Sequence, residues 1–161
     1  SFILFAVKHL DVGMAHGRFN KFSGEFEYDR QSPEKSSVRV EIAADSIDTG
    51  NTGRDRHLKN PDFFNAKQFP SITFESTSVK PTRDGKMEIS GNLTMLGKSK
   101  PIVLSAEVLG EGNDPWGGFR TGFTATARVL RSDYNMNYML DKKPGLGDAV
   151  TLTIAVEGVR Q

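Results

Sequence analysis

Apolar and polar residues alternate along most of this chain, and that period of two predicts strands rather than helices. Residues 37–47 show it most cleanly, with Val38, Val40 and Ile42 on one face and Arg39 and Glu41 on the other. In 71–80, Ile72 and Phe74 oppose Thr73 and Glu75. Met87, Ile89, Leu93 and Met95 share a face of 87–95, with Gly91 at its middle. Ile102, Leu104, Ala106 and Val108 form one face of 102–109. Phe119, Phe123, Ala125, Ala127 and Val129 do so in 119–131, and Val150, Leu152, Ile154 and Val156 in 148–160. Two further strands are less regular. Residues 1–9 are apolar enough to be buried on both faces, and 17–30 carry Gly24, which marks a bulge or bend.

Turn residues separate these eight segments. A turn is expected over 10–16 around Gly13, a loop over 31–36, and an Asp84-Gly85 hairpin. A basic turn over 96–101, a loop over 111–118 and an irregular stretch over 132–147 complete the set. Short connections imply antiparallel neighbours. Eight such strands leave two open edges unless the sheet closes. The expectation is therefore an all-β domain spanning 1–161, an eight-stranded antiparallel up-and-down barrel. A β-sandwich of the same strand count is the competing architecture. A barrel of about eight strands is also of the size that holds one small ligand.

One stretch breaks the alternation, Ser46 to Pro70. It is polar and glycine-containing, then charged (Arg54, Asp55, Arg56, His57), then aromatic (Phe63, Phe64, Phe69). Asn60-Pro61-Asp62 has the makings of a helix start, with a capping Asn, a proline at the first position and an acid in the first turn. A short helical insertion around 51–68 is expected, with Phe63 and Phe64 projecting from it. Such a connection serves either as a lid or binding loop, or as an aromatic plug for stability alone.

Twenty-one basic and twenty acidic residues leave a net charge of +1, so neither composition nor any basic run argues for nucleic acid. The absence of cysteine excludes disulfides and thiolate chemistry. His9, His16 and His57 lack paired ligand spacing, and neither a nucleophile elbow nor a phosphate-cradling glycine loop occurs. No metal, no catalytic cofactor and no enzyme activity are expected. The chain begins inside a strand and without Met, as a trimmed or mature chain would.

Several ordered motifs carry a family resemblance. Ile3-x-Phe5-x-Val7-x-His9 and Gly17-x-Phe19-x-x-Phe22-x-Gly24 open the chain. Ser46-Ile47-x-Thr49-x-Asn51, Arg54-Asp55-x-His57-Leu58 and Asp62-Phe63-Phe64 follow. Phe69-Pro70-x-Ile72-x-Phe74, Gly91-x-Leu93-Thr94-x-x-Gly97, Arg131-Ser132-Asp133-Tyr134 and Gly147-Asp148-x-Val150 complete the set. Together they resemble the YceI-like, polyisoprenoid-binding family over essentially the whole chain. The resemblance implies an extended lipocalin-like barrel holding an isoprenoid tail, from a ubiquinone-like quinone or a polyprenyl phosphate. It also implies a periplasmic or secreted protein; the reading drawn from it is a transport, storage or sequestration role for the lipid, preferably a long-tailed quinone, with transient membrane contact and a homodimer as options. The segment Tyr134 to Met139 departs from the family pattern, so the cavity mouth is expected to differ.

A long isoprenoid tail has no hydrogen-bonding groups, so its binding rests on buried apolar area. Phe5, Phe19, Val40, Ile42, Leu58, Phe74, Leu93, Leu104, Phe123 and Leu152 are candidate walls, with Phe63 and Phe64 above them. Met136 and Met139 could adapt to an irregular chain. Each of these side chains serves equally as ordinary barrel core. Arg54, Asp55 and Arg131 are candidates for a head group. The plainer reading makes Arg54 and Asp55 a brace within the loop and pairs Arg131 with Asp133 at the barrel rim. A surface interaction module and an enzyme acting on an isoprenoid remain the alternatives to a carrier.

Overall fold

The computed structural model describes residues 1–161. Ten strands run in chain order: β1 (Phe2–His9), β2 (Gly13–Phe19), β3 (Phe22–Glu27), β4 (Ser37–Ala43), β5 (Ile47–Asp48), β6 (Ser71–Pro81), β7 (Met87–Met95), β8 (Lys98–Asn113), β9 (Phe119–Leu130) and β10 (Leu146–Val159). One α-helix, α1 (Thr52–Leu58), interrupts them. All strand pairs are antiparallel and form one sheet in the order β3-β4-β6-β7-β8-β9-β10-β1-β2-β5.

The two ends of that order meet through the chain itself. β3 continues β2 after a break at Asn20-Lys21, and β5 continues β4 after a single turn at Ala44–Ser46. Across both breaks the Asn20 amide donates to the Ser46 carbonyl and the Ala43 amide to the Lys21 carbonyl, each at 3.0 Å. The eight expected strands are thus present, and two of them are broken into halves. The inward parity changes across both breaks, from Phe19 to Phe22 and from Ile42 to Ile47, but the links carry neither Gly nor Pro, so the breaks did not show in the sequence.

Other boundaries moved as well. Residues Gly13 to His16, expected in a turn, already pair with Lys8 and His9 and their neighbours on β1. β1 is not buried on both faces: Ile3 and Val7 are inside, while Leu4 and Lys8 face solvent. The basic turn narrows to Leu96-Gly97, both at positive φ (54° and 72°), as a two-residue hairpin twisted to match its strands requires.

Gly24 sits in regular register opposite Val40 and makes no bulge. The ladder instead slips between Ser76 and Ser78 and between Val108 and Gly110, and these irregularities curl the sheet. Gly91 and Gly17 serve another purpose. A Cβ on Gly91 would stand 2.4 Å from the Phe74 ring, and one on Gly17 would stand 2.5 Å from the Phe5 ring. Each glycine lets a phenylalanine lie across the neighbouring strand, covering backbone that has no side chain of its own. Gly91→Ala is expected to cost about 1–3 kcal/mol by overpacking, read as a lower midpoint in urea with the slope unchanged.

Candidate ligand-binding site

The inner faces of the strands do not fill the barrel. They enclose a cavity of about 510 Å³, lined by 31 residues of which 20 are hydrophobic. That volume falls within the roughly 300–1,000 Å³ typical of small-molecule sites. Val40 and Ile42 from β4, Phe74 from β6, Leu93 from β7, Leu104 from β8, Phe123 from β9 and Leu152 from β10 all line it, as their strand periodicity placed them. Phe22, Phe26, Met87, Ile89, Ile102 and Ile154 line it too. Their alternation with polar neighbours was the signal available for them. The Phe26 ring lies 4.7 Å from that of Phe123, edge to face.

The cavity opens beside β3, whose outer edge makes no strand pair. Glu25 and Glu27 of β3 and Glu157 of β10 flank that opening, with Arg39 the one basic side chain among its lining residues. Arg39 is bonded to Glu75 at 2.9 Å. Arg120 lies 3.4 Å from Glu157 and donates to Asp114 at 2.8 Å. Arg120 and the backbone amides of Gly118 and Trp116 hold the Asp114 carboxyl below its ordinary range. Glu25 and Glu27 are exposed and alternate with the inward Phe22 and Phe26, so they stand on the outer face of β3.

The other candidate residues lie elsewhere. Phe19 is buried and lines neither this cavity nor the smaller cleft described next; its ring contacts Phe5 at 5.7 Å and Phe64 at 5.5 Å. This aromatic cluster stands between the large cavity and a smaller cleft of about 250 Å³, to which Phe5, Leu58, Phe63, Met139 and Arg54 belong. Met136 is core, 3% exposed. Neither Phe63 nor Phe64 lines the larger cavity.

The helix expected at Asn60 is not there. The Asn60 side chain accepts from the Asp62 amide, and the Asn60 carbonyl accepts from the Phe63 amide, which closes a turn instead. The real helix begins one motif earlier. Asn51 caps it by accepting from the Arg54 amide at 2.9 Å. His57 near its end pairs with Asp62 at 2.8 Å, and its ring meets Phe63 and Tyr138 edge to face. Phe63 is held by that clasp, and Phe64 by its edge-to-face contact with Phe19, rather than by helical packing.

Arg54 and Asp55 both grip Thr49. Asp55 Oδ1 accepts from the Thr49 amide at 2.8 Å and from its hydroxyl at 2.6 Å. Arg54 donates to the Thr49 hydroxyl at 2.8 Å and to its carbonyl at 3.0 Å. The bracing reading of this pair is the one the geometry supports, and Asp55 lines neither space.

Arg131 is not a rim residue paired with Asp133. It is 3% exposed and donates to four carbonyls, those of Gly147, Met136, Tyr138 and Leu146, at 2.8 to 3.1 Å. Burial pushes its guanidinium down from the ordinary arginine value, and Asp148 opposes that shift. Ser132 donates to Asp148 through its amide and hydroxyl, at 2.8 and 2.6 Å. Tyr134, fully buried, donates to the Leu93 carbonyl at 3.2 Å. The Arg-Ser-Asp-Tyr motif is therefore a lock that ties the 131–147 segment to the barrel.

Burial pushes the Tyr134 hydroxyl up to about 12, with Asp133 adding to the shift. An unfolded tyrosine ionises near 10. The neutral buried phenol thus contributes stability below pH ~10 that is lost as pH rises towards about 12, on the order of 2–3 kcal/mol. Tyr134→Phe is expected to flatten that part of the pH–stability curve relative to wild type, as measured by urea melts across alkaline pH.

A curled antiparallel barrel with an apolar interior and a short helical insertion defines a lipocalin-like binding fold. The family model described as "YceI-like domain" matches residues 1–158, and the chain belongs to that family. It is 43% identical over 161 residues to a UPF0312 protein of Pseudomonas paraeruginosa, covering 100% of this chain and 82% of that one. A crystal structure of a Campylobacter jejuni YceI protein superposes with a TM-score of 0.81 at 32% identity, covering 96% of this chain and 90% of that one. A polyisoprenoid-binding domain from Saccharophagus degradans shares the fold, with a TM-score of 0.68 at 13% identity, over 97% of this chain and 91% of that one.

Proposed function

We propose that this protein is a non-catalytic carrier or storage protein that holds a long-chain isoprenoid lipid in the barrel cavity. The observation that carries the reading is the 510 Å³ space walled mainly by aliphatic and aromatic side chains from most of the strands. A polar ligand would leave its hydrogen-bonding groups unpaired there. A methyl-branched hydrocarbon tail has none to leave. The polyisoprenoid-binding description of the Saccharophagus degradans domain supports the same ligand class.

Of the two head groups the reading admits, a neutral quinone suits the opening better than a phosphate, because the one basic side chain lining it, Arg39, is already bonded to Glu75. The reading also places the protein in the periplasm or outside the cell, which cell fractionation of the full-length gene product would check.

The test is a titration with a long-tailed ubiquinone and with a polyprenyl phosphate of equal tail length. Stoichiometric binding of the quinone, tighter than that of the phosphate, is expected. Failure of both to saturate at one per chain overturns the carrier reading. Because the interaction is apolar, quinone affinity is expected to change little between low and moderate salt; a steep loss with rising salt contradicts it.

A further inference from the structure

The smaller cleft differs from the barrel cavity in charge. No carboxylate is among the 15 residues that line it, whereas Arg54, His9, His16 and His57 all are. Two nearby acids are both bonded, Asp55 to Thr49 and Asp62 to Nε2 of His57 itself. Arg54 spends its Nε and one terminal nitrogen on Thr49, which fixes the guanidinium while its remaining nitrogen makes no protein hydrogen bond. His57 uses Nε2 for Asp62 and leaves Nδ1 without a protein partner. Its ring plane is set by Phe63 and Tyr138, at centroid distances of 5.0 and 4.9 Å. Nine of the 15 lining residues are hydrophobic, with Val7 and Phe63 buried among them. The polar groups are thus held in place by packing and hydrogen bonds before any ligand arrives, a preorganisation that favours binding.

We infer that this cleft is a second binding site, for a small amphipathic anion: an aryl or short alkyl group carrying a phosphate or carboxylate. The apolar part enters the cleft between Phe63 and Met139, and the anionic end meets Arg54 and His57 at its rim. At about 250 Å³ the cleft is half the size of the barrel cavity and suits a small ligand better than a long tail. The anion has two sources, a free small molecule or the head group of a phosphorylated lipid whose tail lies elsewhere. This site does not depend on the carrier reading of the barrel.

The experiment measures phenyl phosphate and phenol by titration calorimetry on the wild-type chain, then on Arg54→Gln and Met139→Trp. Phenyl phosphate is expected to bind at least about tenfold tighter than phenol, as one charge-assisted pair allows. Arg54→Gln is expected to erase that preference, and Met139→Trp to abolish binding of both by filling the cleft. The affinity is expected to fall as salt rises, unlike that of the quinone. Equal binding of phenyl phosphate and phenol overturns the proposal, as does wild-type affinity in both variants. If Arg54→Gln loses its fold through Thr49, Met139→Trp decides alone. Two further arms separate the sources. Ala106→Trp, which fills the barrel cavity, leaves a free-anion site able to bind phenyl phosphate. If the site serves a lipid head group, farnesyl phosphate binding depends on both Arg54 and Ala106. Phenyl phosphate binding that disappears in Ala106→Trp while Met139→Trp retains it places the anion in the barrel and overturns the proposal. Quinone binding can survive any of these results, so the two readings fail separately.

Discussion

Arg131→Met is expected to cost this protein about 2–6 kcal/mol of folding stability. The guanidinium satisfies four main-chain carbonyls that converge from the 136–138 and 146–147 segments. Methionine preserves much of the side-chain bulk but donates nothing. A buried acceptor left without a partner costs about 1–3 kcal/mol. If water reaches two of the four, the other two still sum to the range given. Since whole domains are stable by only about 5–15 kcal/mol, Arg131→Met should melt far below wild type. Arg131→Lys, with three donors on a point charge rather than a planar fork, should recover only part of the loss. Asp133→Asn should be nearly neutral, because no bond links Asp133 to Arg131. A severe loss in Asp133→Asn together with a mild one in Arg131→Met would restore the rim ion pair that the sequence suggested.

Ala106→Trp is expected to weaken lipid binding about 50–200-fold while leaving the barrel folded. Ala106 lines the cavity, opposite Ala125 on β9. An indole there occupies space that tail carbons would otherwise take. Each buried methylene is worth about 0.8 kcal/mol, so displacing three or four costs about 2.4–3.2 kcal/mol, which gives the stated factor. Ala106 is itself buried, but it lines the cavity between its register partners Met87 and Ala125, so the indole can extend into that space and the barrel should stay folded. Ala125→Trp approaches the same space from the neighbouring strand and guards against a local misfit at Ala106. Unchanged quinone affinity in both would place the lipid outside the barrel.

The fold was legible because burial imposes a period of two on every strand. Val40, Ile42, Phe74, Leu93, Leu104, Phe123 and Leu152 could be assigned inward from their neighbours alone, and each lines the cavity. The break between β2 and β3 was not legible. Phe19 and Phe22 differ in parity, yet the polar Asn20-Lys21 between them reads as ordinary strand surface. The insertion was harder still. Asn51 and Asn60 are both good caps with charged residues behind them, and local preference cannot choose between them. The choice is made by tertiary contacts: the Asp55–Thr49 grip favours the first, and the Phe64 and Ala66 amides, which donate to Leu58 and Lys59, fold the second back on itself. Arg131 was misread for a similar reason. A sequence places a charged residue at a strand end near the surface, and its burial in this fold depends on four carbonyls that only the folded 131–147 segment brings together.

The most direct test of the barrel as a lipid site is native mass spectrometry of the wild-type chain, purified without detergent, beside Ala106→Trp prepared in the same way. One isoprenoid per wild-type chain, identified by its fragments, and none or a small fraction on the variant is the result this account predicts. Wild-type protein without lipid after expression in a quinone-producing host, or equal lipid on both proteins, would contradict it.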